Sequence, residues 1–469
     1  MLSVQRDFPG SRLEISRRKW LQLGAAAPLG FTGGVAGLRA REALAREKTD
    51  AHIASRGHGF GAAKHCIVLF LFGGPAHQDT FDLKPDAPTE VRGEFQPITS
   101  QVPDVTISEH LPLLAQRTNL FTQIRSVTHT DNTHTVAMHY MLTGMRHLRP
   151  TTNPQNAADD FPCFGAVMNY LDAGRGAPSG FHLPAGVSLN SPANQVSANN
   201  HIFPGFFAGG LGAKFDPLFV SQSPDQSNFQ PFSAISTPQR LSDRQALQRA
   251  INGTDAARDA ATVRSLDRAY EQAFGLLTSP QTQRAFDLSQ EAPALRQKYG
   301  WTPFGQGCLL ARRLVEAGVG LITVNWQRDD AFWDTHSDNF NLHKNQLLPS
   351  FDRGFSALLD DLSDRRLLEE TLVVVLSEFG RTPKINASAG RDHWAPCNTV
   401  LLAGGSVPGG QVYGASDKIA AYPARNPVSP EDLAATLYHL LGVDTETQLT
   451  NFEGRKQPIS NGEVLHGLL

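Results

Sequence analysis

Ile67-Val68-Leu69-Phe70-Leu71-Phe72 is apolar at every position and is closed by Gly73-Gly74-Pro75. A strand with one wet face alternates polar and apolar residues. A strand with no polar position has to be covered on both faces, as central strands of parallel sheets are. Three more such runs follow, at 319–326, 372–376 and 399–403. Helical patterns accompany them at 304–317, stopped by Gly318, at 342–362, and at 430–441, where Ser429 is the N-cap and Gly442 the stop. Strands alternating with helices predict an α/β fold with a largely parallel sheet between two helical layers, and a ligand crevice beyond the carboxyl ends of the strands.

The N-terminal region has a separate logic. Ser16-Arg17-Arg18-Lys19-Trp20-Leu21 places paired arginines before an Ala- and Gly-rich run at 21–38, and Ala43-Leu44-Ala45 is a small-x-small cleavage site. This order predicts a twin-arginine signal peptide over 1–45, transit through the Tat translocase in a folded state, and a periplasmic or extracellular mature protein. The run is broken by Pro28 and barely spans ~30 Å of hydrocarbon, so a cleaved leader is preferred to an anchor. No later stretch has the length of a membrane span. Residues 46–469 are expected to form one domain, with a polar insertion or lid around 215–300.

The formal net charge of -3 argues against a nucleic-acid partner. The four cysteines (Cys66, Cys163, Cys308, Cys397) form no CxxC pair and read as buried free thiols. P-loop, GxSxG and strand-linked GxGxxG motifs are missing, which disfavours nucleotide binding and serine-esterase chemistry.

Acids and imidazoles follow the first three of these runs. His77, Asp79 and Asp82 come after the first, Asp334, His336 and Asp338 after the second, and Glu378, Arg381, Asp392 and His393 after the third. One such group is an ordinary set of loop or capping residues. Several on one edge of a sheet are what a divalent metal site of carboxylate and imidazole needs. The segment HTDNTHTVAMHYMLTG, 129–144, adds a helix with Asp131 or Asn132 as N-cap and Gly144 as stop. His134 and Thr135 then sit in its first turn, where free N–H groups favour an anion or an attacking oxygen. His139, five residues from His134, lies off that face and reads as a packed or surface residue.

GGPAHQDTFDLKP, ISEHLPLLA, the loop ending MLTG, WDTH, LSEFGRTPKIN, GRDHW and GGQVYG, in this order, resemble the bacterial family known as "domain of unknown function 1501". That family is regarded as a distant branch of the alkaline phosphatase and sulfatase superfamily. The resemblance implies a mixed, mainly parallel sheet sandwiched by helices and a metal-dependent hydrolase of phosphate or sulfate esters. It aligns His134, flanked by Thr133 and Thr135, with the sulfatase nucleophile. Glu378 and Phe379 fall where relatives carry Asp-His, and His393 on the following His ligand. Asp334 and His336 resemble the ligands of the other metal, and Asp79 the early Asp.

Phe379 is unable to bind metal, and position 134 is neither Cys nor Ser. Thr133 or Thr135 as nucleophile, and direct attack by water with His134 as acid or base, both stay open. The expected ligands of a Zn, Mn or Ca ion are therefore Asp79, Asp334, His336, Glu378, Asp392 and His393. Arg381 and the start of the 134–142 helix are expected to hold the anionic group of a small-molecule or polysaccharide ester. The competing expectation is a non-catalytic extracytoplasmic binding or scaffold protein that keeps the fold.

Overall fold

The computed structural model describes residues 57–150, 153–175, 183–190, 202–231, 275–326 and 332–469, with residues 243, 246 and 247. The predicted leader at 1–45 and residues 248–274 of the predicted insertion lie outside the described residues.

Eight strands form the main sheet. In chain order they begin with β1 (His65–Phe70), β2 (Phe121–Val127), β3 (Gly186–Leu189), β4 (Leu218–Val220), β5 (Leu321–Asn325) and β6 (Thr371–Leu376). A two-stranded ribbon, β7 (Gly380–Arg381) and β8 (His393–Trp394), intervenes before β9 (Asn398–Ala403) and β10 (Val412–Tyr413) complete the sheet. Across the sheet the order is β10-β2-β9-β6-β1-β5-β3-β4. Every neighbouring pair is parallel except those made by β9, which runs antiparallel to both β2 and β6.

The exception has a local cause. A parallel return needs a crossover, usually a helix, and residues 377–397 hold only the β7–β8 ribbon and loops.

β1 lies at the centre, between β6 and β5, as its unbroken apolar run requires. Its side chains alternate between two cores: Ile67 and Leu69 enter one, Cys66, Val68 and Phe70 the other. The first core is roofed by α3 (Pro303–Glu316) and α4 (Leu348–Asp364), through residues such as Leu310, Leu314, Phe351 and Phe355. The second is closed by α1 (His134–Thr143), α2 (Phe164–Arg175) and α5 (Pro430–Leu440), through Met138, Met141, Phe164, Val167 and Leu437. The sheet is therefore sandwiched by helices, as expected.

Helix ends follow local chemistry. α3 begins at Thr302, whose side chain accepts from the Gly305 N–H, with Pro303 at the first position. α5 begins with a Ser429–Asp432 capping box. α1 ends on Gly144 in the left-handed conformation, φ 68°.

The supposed insertion at 215–300 is in part integral. β4 is an edge strand of the main sheet, and Phe286, Leu288 and Tyr299 enter the first core. Their apolar side chains are few among polar neighbours, which is why composition alone hides them. All four cysteines are buried and free. Among the described residues no helix is long and apolar enough to cross a membrane.

Candidate metal centre

The carboxyl ends of β1, β5 and β6 lie side by side in the middle of the sheet. The loop after β1 starts with Gly73 at φ 114°, where a Cβ would stand 2.4 Å from the backbone nitrogen of Asp334. Only glycine lets the two loops pass so closely. The Gly73 N–H donates to Oε1 of Glu378, 2.8 Å away, beyond the end of β6.

Glu378 is fully buried. Its Oε1 also accepts from Nδ1 of His134 at 2.6 Å, and its Oε2 is buried with no hydrogen-bond partner among the described residues. With Nδ1 so engaged, the His134 ring points Nε2 at Oδ2 of Asp334, 3.2 Å away.

His393 is held in the same manner. Its Nδ1 donates to the carbonyl of Asn132 at 2.9 Å, and its Nε2 lies 3.2 Å from Oδ1 of Asp334. In His336, Nδ1 faces Oδ1 of Asp392 at 2.7 Å, and Nε2 lies 3.1 Å from Asp334 and 3.0 Å from Nε2 of His393.

A carbonyl or a carboxylate only accepts, so each Nδ1 is the donor in its contact, and this leaves the three Nε2 atoms turned toward Asp334. Such outer acceptors are the usual means of orienting imidazole ligands of a metal. Two Nε2 lone pairs at 3.0 Å repel unless a cation or a proton lies between them.

The ligand atoms of His134, Asp334 and His393 all lie within 4.8 Å of one another. Tetrahedral bonds of about 2.0–2.1 Å set ligand atoms about 3.3 Å apart, close to the contacts seen here. The donor set and the partnerless Glu378 oxygen thus fit a divalent cation.

Electrostatics agree. Burial pulls the His134 imidazole down, but its hydrogen bonds to Asp334 and Glu378 win and push it up to about 9. Burial raises Asp334, yet His134, His393 and Arg381 hold it well below the usual carboxylate range. Without a cation, a proton on His134 takes the cation's part.

The six expected ligands divide into three kinds. Asp334, His336 and His393 lie together. Glu378 and Asp392 are brought to the same place but stand behind His134 and His336 as acceptors. Asp79 does not join: it is fully buried, Arg391 donates from Nη2 to Oδ1 at 2.7 Å and from Nε to Oδ2 at 2.8 Å, and Asn339 also donates to Oδ2. Its fold role is to bind the first loop to the Arg391 loop.

The residues expected to act on substrate also move. His134, expected at the nucleophile position, lies among the ligands. Arg381 is fully buried, and four of its five N–H groups are engaged within the protein: Nε donates to Gly74 O at 2.9 Å, Nη1 to Arg391 O at 3.0 Å, and Nη2 to Gly73 O and Asp334 Oδ1. It orients Asp334 instead.

Thr133, not Asp131 or Asn132, is the N-cap of α1, and its side chain caps nothing. The Thr135 hydroxyl is buried and directed at Asn153, 3.5 Å away. Phe379 forms a buried floor, its ring centroid 4.9 Å from that of His134 and 4.5 Å from that of His393. Sequence reasoning missed the carbonyl of Asn132, which carries no side-chain signal, and the buried pairing of Arg391.

A family profile described as "Protein of unknown function (DUF1501)" matches residues 63–469. The chain belongs to the DUF1501 family. The match covers both the sheet and all the residues of the centre. No curated protein matches this DUF1501 member.

Among solved structures it is similar to the PsFucS1 sulfatase from Pseudoalteromonas sp., at 14% identity over 87% of this chain and 72% of that one, TM-score 0.36. An alkaline phosphatase superfamily protein from Vibrio parahaemolyticus aligns at 10% identity over 83% and 68%, TM-score 0.36. Murine ectonucleotide pyrophosphatase/phosphodiesterase 5 aligns at 10% identity over 81% and 95%, TM-score 0.38.

Proposed function

We propose that this DUF1501 member is an exported, metal-dependent hydrolase of sulfate or phosphate esters. The observation that carries the reading is the set of three imidazoles, each with Nδ1 fixed by an oxygen and Nε2 aimed at one carboxylate. His134, Asp334 and His393 would hold the cation, with His336 as a further nitrogen on the exposed side. A nitrogen-rich set suits Zn or Mn better than Ca, which takes oxygen ligands. When bound, the cation supplies Lewis acidity toward an ester oxygen.

The chain's own residues do the rest. Glu378 and the Asn132 carbonyl keep two rings from rotating, and Arg381 holds Asp334 ionised and in place. The first turn of α1 has no side-chain cap, so the N–H groups of His134, Thr135 and Val136 are available to sulfate or phosphate oxygens. With the Thr135 hydroxyl turned toward Asn153, attack is left to water or to Thr133. The twin-arginine leader supports export.

The test is metal analysis of the purified protein followed by nitrophenyl phosphate and sulfate assays with Zn, Mn and Ca. The reading expects about one tightly held cation per chain and cation-dependent turnover of at least one ester. A protein that retains no cation, or turnover indifferent to chelation, sinks it. Cation retained without turnover of any ester moves the chain to the binding-protein reading.

A further inference from the structure

The centre meets an apolar surface at Phe72. Its ring centroid lies 5.5 Å from that of His134. Phe203 packs on Phe72 at 6.0 Å, and Phe332 meets it edge-on at 5.8 Å. Phe72 and Phe203 are half-buried, whereas Phe332 and Ile202 keep 38% and 43% of their surface exposed.

This wall is fixed relative to the centre. Phe72 precedes Gly73, whose N–H holds Glu378, and Phe332 stands two residues before Asp334. None of the three aromatic side chains, Phe72, Phe203 and Phe332, can donate or accept a hydrogen bond, so the wall is unable to read hydroxyl groups. An exposed apolar surface against a convergent polar centre is where the apolar part of a ligand loses its water.

Resting on the ester-hydrolase reading, we infer that the substrate is an ester of an aromatic or comparably flat apolar alcohol. Its ring lies along Phe72, Phe203 and Phe332 while the anionic group faces His134, Asp334 and His393. The wall makes Phe332 and Phe203 specificity-determining residues: they contact the alcohol part and leave the anionic group to the centre.

The test titrates the zinc-loaded mature chain, its zinc content measured beforehand, with phenylphosphonate against methylphosphonate and benzenesulfonate against methanesulfonate. None of these probes has an ester bond to lose, so the readout is affinity by calorimetry. In at least one pair the aryl member is expected to bind about tenfold tighter or more. Phe332→Ala, at an exposed position, is expected to bring that ratio toward one, and Phe203→Ala to do the same. Equal affinities within a pair that binds, or a preference that survives Phe332→Ala, overturns the inference. If no probe binds the zinc-loaded chain, the ester-hydrolase reading itself fails and this inference falls with it.

Discussion

The imidazole of His134 is fastened through Nδ1 to the buried carboxylate of Glu378 at 2.6 Å, which turns its other nitrogen onto Asp334. The two residues are 244 positions apart in the chain. In the proposed function their contact gives a helix-terminal histidine the part of a metal ligand and a strand-end acid the part of its support, and the predictions follow from that division of roles.

His393→Ala removes one of the three convergent ligand atoms and frees the Nε2 of His336 from its neighbour. Cation content is expected to fall from about one per chain to under about a tenth, with turnover lost in step. Mass-spectrometric metal analysis decides it, and full occupancy in the variant would remove His393 from the ligand set.

Glu378→Gln keeps the size of the side chain but weakens the acceptor behind His134. Loss of such a supporting partner costs about 10–100-fold in metal affinity. Competition with a chromogenic chelator should show this drop, with the site still filled at saturating cation. An unchanged affinity would mean that Glu378 does not orient the ring.

Asp79→Ala strands the fully buried Arg391 guanidinium without its carboxylate. Breaking a buried pair in this way costs on the order of 3–5 kcal/mol, to be read by urea denaturation. Cation content of the chain that stays folded is expected to hold, because Asp79 is no ligand. Loss of the cation with normal stability would restore it to the centre.

Thr133→Ala removes the hydroxyl of the α1 N-cap residue, which caps no helix N–H. If water attacks, kcat stays within about threefold, a change of under 1 kcal/mol in barrier. A fall of about a hundredfold or more, together with a burst of product in the parent protein, would make Thr133 a covalent nucleophile instead.

Acid should unfold the protein through buried histidines outside the ligand set. Burial holds His129 at about 4, His139 at about 3 and His343 at about 4, only partly offset by hydrogen bonds to backbone carbonyls. Unfolded imidazoles take protons near 6.5 and the folded ones do not until far lower. The stability these rings contribute is therefore present above about pH 6.5 and lost as pH falls toward 4, by up to about 1.4 kcal/mol per pH unit for each ring. Denaturation midpoints between pH 8 and 4.5 should show the decline, and a flat profile would contradict three buried neutral rings.

Much of the fold is legible in side-chain pattern. The unbroken apolar runs of β1 and β6 require cover on both faces, and each strand duly divides its residues between two cores. The antiparallel course of β9 is not visible in its own residues, because direction depends on the connection and TVLLA reads alike both ways. Likewise Leu218–Val220 and Phe286 are too short an apolar signal to stand out from polar surroundings.

What sequence alone determined is the kind of chemistry and its neighbourhood: acids and imidazoles after three of the buried strands, a glycine turn after β1, and an ordered set of motifs marking one family. What only the tertiary structure decided is the order of contact within that neighbourhood. Asp79 and Asp334 are both strand-end aspartates, yet one is saturated by Arg391 and the other faces three imidazoles. Local sequence sets where a chain turns. The partner that a carboxylate meets is set by long-range packing, and with both kinds of partner nearby, geometry rather than residue type assigns the role.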